Sequence, residues 1–158
     1  PIIKGAEYAG AAEEKAKHHK SEHGLFFEKD TFTLFDIPLN WQYEFPIVEE
    51  LFERIYPFFQ KDQVKGVFQK IATYYEIGKK QHDDENTPSW RWRSAYNIAR
   101  AKERYRKDKE LVNFLNEIAA NIFINAYKDK QLHTPNSYFS LLIIAIRWAE
   151  LKNRTEKH

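Results

Sequence analysis

From residue 46 onward, apolar side chains recur every three or four positions. Val48, Leu51, Phe52 and Ile55 form one stripe, and Val64, Val67, Phe68, Ile71, Tyr75 and Ile77 form a second. Phe139, Leu142, Ile143, Ile146 and Leu151 form a third. Pro46 suits the first turn of a helix that runs to about residue 56, where Pro57 breaks or kinks it. A second helix is expected over about 60–80, followed by a polar loop at 81–87. Residues 89–130 contain neither Pro nor Gly. They are read as two helices broken or bent near Asp108, in preference to one rod of about 60 Å. Thr134 and Pro135 mark the start of a last helix over about 136–153, with a loose tail at 154–158.

The first 45 residues follow other rules. Residues 5–22 are rich in alanine, carry charge on every side and have Tyr8 as their one bulky apolar side chain. They predict a helix with no stripe to bury, and such a helix is marginal in water unless it docks on something else. Gly24 is a stop. Residues 25–45 alternate bulky apolar side chains with Asp, Thr, Asn and Pro38. They read as an extended aromatic strap across the helices. Phe32 and Leu34 suit a short strand, but no second strand-like segment is evident to pair with it. The pattern therefore predicts an all-α protein, a compact helical bundle of about five helices over 46–155. An N-terminal helical arm over 1–24 and the strap over 25–45 precede it.

Composition supports one domain of 158 residues, with 42% hydrophobic and 30% charged residues and 5 Gly. The aromatic share of 16% exceeds what such a core needs, so some rings are expected to face partners. Cysteine is absent, which removes disulfides, thiolate catalysis and Cys-based zinc sites. Methionine is absent too, and Pro1 reads as a start left by removal of an initiator Met. No secretion signal is visible. The longest apolar run, 141–146, is far below the roughly 20 residues a bilayer span requires.

Net charge is only +2, but its distribution is uneven. Residues 28–62 carry eight acids against three bases, a net of −5, and residues 91–109 carry eight bases against Glu103 and Asp108, a net of +6. At about 100° per residue, Arg93, Arg100, Arg104 and Lys107 fall within a sector of about 60° and span about 21 Å. Arg91 and Arg93 flank Trp92 at one end. Such a stripe matches successive phosphates of a nucleic-acid strand or an acidic protein, and the acidic segment allows head-to-tail association. Lys15, Lys17 and Lys20 of the arm are further candidates for nucleic-acid contact.

No catalytic constellation emerges. His19, Glu22 and His23 match the H-x-x-E-H pattern of inverted zinc peptidases, but they lie on a coreless arm just before Gly24, without a third ligand or a shaped cavity. Asp83, Asp84 and Glu85, and Glu49, Glu50 and Glu53, suggest the acidic pairs of helical nucleotide pyrophosphohydrolases. Those enzymes need a second pair on a facing helix, and Glu110 and Glu117 stand seven apart. No glycine-rich phosphate loop is present. We expect no enzyme, no metal and no cofactor.

An N-terminal helical arm, a compact helical domain and a basic helix resemble, in architecture, the major coat proteins of filamentous viruses of archaea. The resemblance implies a subunit of a virion that wraps duplex DNA with itself or with a paralogous subunit, the stripe facing the phosphates. It places the arm at 1–24 and the domain at 46–155. Two other functions fit the residues: a small helical subunit of a CRISPR effector complex, and an intracellular helical adaptor for an acidic protein.

Overall fold

In the computed structural model, residues 31–80, 89–124 and 136–157, with Ala11, are described. The arm apart from Ala11, the strap up to residue 30, the loop at 81–88, the segment 125–135 and His158 lie outside the described residues. So do the predicted start at Thr134 and Pro135 and the acidic run Asp83 to Glu85.

The strap departs from the expectation. Thr31–Leu34 (β1) and Ile37–Asn40 (β2) form an antiparallel hairpin, with Phe32 opposite Leu39 and Leu34 opposite Ile37. The pairing partner follows after only two residues. Phe35 and Asp36 occupy the turn at φ 49° and 66°, the left-handed backbone that two-residue hairpin turns need. Phe35 does not advertise such a turn, whose usual occupants are Gly, Asn and Asp, and Pro38 reads as a strand breaker. Pro38 is tolerated because it faces Thr33, one position from the pair that closes the turn. There its missing N–H would point away from β1.

Ile37 and Leu39 are buried, with Phe32 and Leu34 packed beside them, so the hairpin covers the core with one face. An aromatic series fastens it. Trp41 stacks on Phe32 at 3.8 Å, both rings meet Phe45, and Trp148 lies at 6.0 Å from Phe45 and 4.0 Å from Phe52.

Five α-helices make up the bundle: α1 (Phe45–Phe59), α2 (Asp62–Lys80), α3 (Ser89–Arg104), α4 (Lys109–Ala119) and α5 (Tyr138–Glu156). The first continues past Pro57 instead of stopping there. Pro57 sits in the last turn and removes one helical hydrogen bond, while Phe58 and Phe59 beyond it are buried in the core. The long basic stretch does break where expected. Tyr105 to Lys107 form a turn, and Asp108 caps α4 by accepting a hydrogen bond from the Leu111 N–H at 3.1 Å. A π-helical turn, Ala120–Ile124, extends α4.

The last helix is the hub. It begins at Tyr138 behind the cap Ser137, which accepts from the Ser140 N–H at 3.2 Å. Leu141 through Ile146 are buried without a gap, so α5 is covered on all sides over this stretch, chiefly by α1 and α2. Leu151, expected on its apolar face, is instead 52% exposed, because at about 100° per residue it lies on the far side of the helix from the buried Leu142, Ala149 and Asn153. The third helix is peripheral and packs on α2 and α4.

A buried polar latch joins the hairpin to this hub. Glu44 is fully buried. Its Oε1 accepts from the Asn40 N–H and its Oε2 from the Asn136 N–H, both at 3.0 Å. Asn136 in turn donates its side-chain amide to the Pro38 carbonyl at 2.7 Å. Asn40 Oδ1 accepts from the N–H groups of Gln42 and Tyr43, which forms the tight turn into α1.

Candidate nucleic-acid interface

The third helix is helical by composition, with three alanines and several long basic side chains, and it anchors itself by few residues. Ser94, Ile98 and Ala101 are its buried positions among those described. Beside that buried strip, at about 100° around the helix, its surface is solvent-facing and carries Arg93, Arg100 and Arg104, all exposed. At about 100° per residue these three lie within about 40° of each other, and at 1.5 Å per residue they span about 16 Å.

Lys107 departs from the predicted stripe. The helix ends at Arg104, so Lys107 stands exposed in the turn before α4 and has no helical register with the arginines. The break that Asp108 enforces is the cause. Arg91 belongs to α3, but its side chain lies outside the described residues, as do Lys15, Lys17 and Lys20 of the arm and the His19 to His23 pattern.

Among the described residues, no carboxylate lies within salt-bridge distance of Arg93, Arg100 or Arg104. The acids nearby are engaged elsewhere: Glu103 pairs with Arg106 at 3.6 Å, and Asp108 faces Lys61 at 3.5 Å. The arginines are steadied by aromatics instead. Arg100 donates to the Tyr96 hydroxyl at 3.1 Å and lies 5.7 Å from that ring's centroid, while the Arg104 guanidinium sits 5.5 Å from the Tyr105 ring.

Two hollows run along this face between α2 and α3. The larger, about 630 Å3, is lined by Val67, Lys70 and Ile71 on one wall and by Tyr96, Arg100 and Arg104 on the other. Tyr105 closes one end by donating its hydroxyl to the Gln63 carbonyl at 2.6 Å. The smaller hollow is lined by Tyr74, Trp92 and Arg93 and shares Tyr96 and Asn97 with the first, so the two are adjacent. Asn97 braces the junction by donating to the Tyr74 hydroxyl at 2.9 Å and to the Arg93 carbonyl at 2.8 Å.

Lys70 and Tyr74 were not legible as site residues. They sit on α2, and nothing in the chain's order announces which helix lies beside the stripe. Their one sequence signal is position, since both fall outside the Val64, Phe68, Ile71 stripe of α2.

The acidic residues of α1 are arranged differently. Glu49, Glu50 and Glu53 are exposed, and Glu117 of α4 binds Arg54 at 2.7 Å. Among the described residues, no group of three or more His, Asp or Glu is placed to hold a metal ion. No described helix is long and apolar enough to cross a membrane. No protein-family model, no curated protein and no solved structure matches the chain.

Proposed function

We propose that the chain is a nucleic-acid-binding structural protein, a subunit that coats a nucleic acid in a helical filament and lies against its phosphates with the exposed face of α3. The observation that carries this reading is the set Arg93, Arg100 and Arg104, three fixed charges on one helix face with no carboxylate partner among the described residues. Uncompensated arginines are attracted to phosphate oxygens, and their planar donors suit bidentate contacts. The exposed acids of α1 offer a complementary surface to a basic face of a second copy or of a paralogous subunit, as a coat assembly requires. A filamentous virion is the setting that the architectural resemblance implies, with duplex DNA as its cargo. Backbone contacts alone suit either a duplex or a single strand.

Electron microscopy of the full chain mixed with DNA at about 50 mM salt tests the proposal. Ordered filaments that contain nucleic acid are the expected result. A monodisperse monomer that retains no nucleic acid under these conditions overturns it.

A further inference from the structure

Trp92 and Tyr96 are the most exposed large apolar side chains on the bundle's described helices, at 66% and 56%. They stand four residues apart, so they share one side of α3 with about 6 Å of rise between them. Neither is needed by the core. Tyr96 is held in place by Arg100, through both its hydroxyl and its ring. Two aromatic faces thus border a row of arginines that have no carboxylate partner among the described residues, with an open groove directly beside them.

We infer that this groove between α2 and α3 is a binding site for an unpaired nucleotide strand, with Trp92 and Tyr96 stacking on exposed bases and Arg93, Arg100, Arg104 and Lys70 holding the flanking phosphates. The inference rests on the nucleic-acid reading above and sets an unpaired strand in place of the duplex cargo that the architectural resemblance implies. A duplex keeps its base faces inside the stack, where an aromatic ring on a helix surface has no access to them. An unpaired strand presents those faces, and base–aromatic stacking is sequence-tolerant because every base has one.

The groove is suited to such an occupant in three respects. Val67 and Ile71 give it an apolar wall, and its volume of about 630 Å3 lies within the range of small-ligand sites. A side chain added at Gly66 would meet nothing within 4 Å, so this stretch of α2 leaves the groove open. Charge is lopsided as well. Lys70, Arg100 and Arg104 line it together with one carboxylate, Glu103, which Arg106 engages.

The test compares a fluorescein-labelled oligothymidylate with a labelled duplex of equal length by fluorescence anisotropy at fixed salt. The intact chain is used alongside Trp92→Ala and Gly66→Leu. Trp92 is exposed, and the side chain introduced by Gly66→Leu enters open space while raising helix propensity, so both variants keep the fold, which circular dichroism verifies. The wild type is expected to bind the single strand at least ten-fold more tightly than the duplex. Each variant is expected to weaken single-strand binding roughly ten-fold and to change duplex binding less than two-fold. Equal or tighter duplex binding, or single-strand binding that both variants leave intact, overturns the groove assignment while the phosphate-contact reading stands. Failure of the wild type to bind either polymer overturns both.

Discussion

Replacing Glu44 by Ala removes the acceptor from two backbone N–H groups, those of Asn40 and Asn136, each 3.0 Å from a carboxylate oxygen. Asn40 and Glu44 lie within the protein, so water does not readily restore those bonds. A buried donor left without a partner costs about 1–3 kcal/mol, and the Asn136 N–H, which is only part-buried, adds less than that, so the two together cost roughly 2–4 kcal/mol. Relief from burying a carboxylate offsets part of that, and we expect a net loss of about 2 kcal/mol. Glu44→Gln keeps a carbonyl for one N–H and sets an amide donor against the other, so its cost is expected to be about half as large. Urea denaturation followed by far-UV circular dichroism reads both values from the shift in midpoint at constant slope. The hairpin is joined to α5 through this latch, so limited proteolysis should cut near residues 35–40 sooner in the Ala variant. A Glu44→Ala stability within about 0.5 kcal/mol of wild type, or a Gln variant weaker than the Ala variant, would refute the account of the latch.

Further consequences concern single positions. The turn pair Phe35 and Asp36 carries positive φ at both residues, and Phe35 is 39% exposed, so Phe35→Asn with Asp36→Gly should stabilise the protein by roughly 1 kcal/mol in urea melts. A loss of stability there would argue against the turn geometry. The Ser94 hydroxyl is buried and has no hydrogen-bond partner among the described residues, so Ser94→Ala should be neutral or stabilising by up to about 1 kcal/mol, and a clear destabilisation would point to a partner. Burial pushes the Tyr138 phenol up to about 12 from an ordinary value of 10.0, against the opposing effects of Asn121 and Arg54. Because the folded state holds this proton more tightly than the unfolded one, its contribution is complete below about pH 10. It is lost as pH rises from about 10 through 12, at a limiting slope of about 1.4 kcal/mol per pH unit. An ultraviolet phenolate titration should show a late tyrosine that Tyr138→Phe removes; an unchanged titration curve in that variant would contradict the burial argument.

Helical periodicity carried much of the fold because apolar stripes such as Val48, Leu51, Phe52 and Ile55 pack as their spacing implies. The break near Asp108 was readable for a local reason, since an Asp suits a cap and not a helix interior. What escaped was non-local or atypical. The hairpin was hidden by a turn built from Phe and Asp, and Pro57 passed into the helix because two buried phenylalanines beyond it outweigh one lost hydrogen bond. At the site, the arginine row followed from spacing alone, whereas the groove did not. It exists because α2 lies beside α3 and brings Lys70, Tyr74 and Gly66 to the row, a juxtaposition made by tertiary packing. The aromatic excess divides accordingly. Phe58, Phe68 and Phe114 pack together in the core, while Trp92 and Tyr96 are left outside.

The central claim is that the α3 arginines contact phosphates, and the salt dependence of nucleic-acid affinity tests it most directly. Anisotropy titrations over a range of salt concentrations, with wild type and with the Arg93→Glu, Arg100→Glu double variant, give the slope of log affinity against log salt. Loss of two phosphate contacts should flatten that slope by about 1.8 on a duplex or about 1.4 on a single strand, and lower affinity steeply at low salt. The far-UV helical signal should be unchanged, because both side chains are exposed. Wild-type affinity and an unaltered slope in the double variant would contradict the claim.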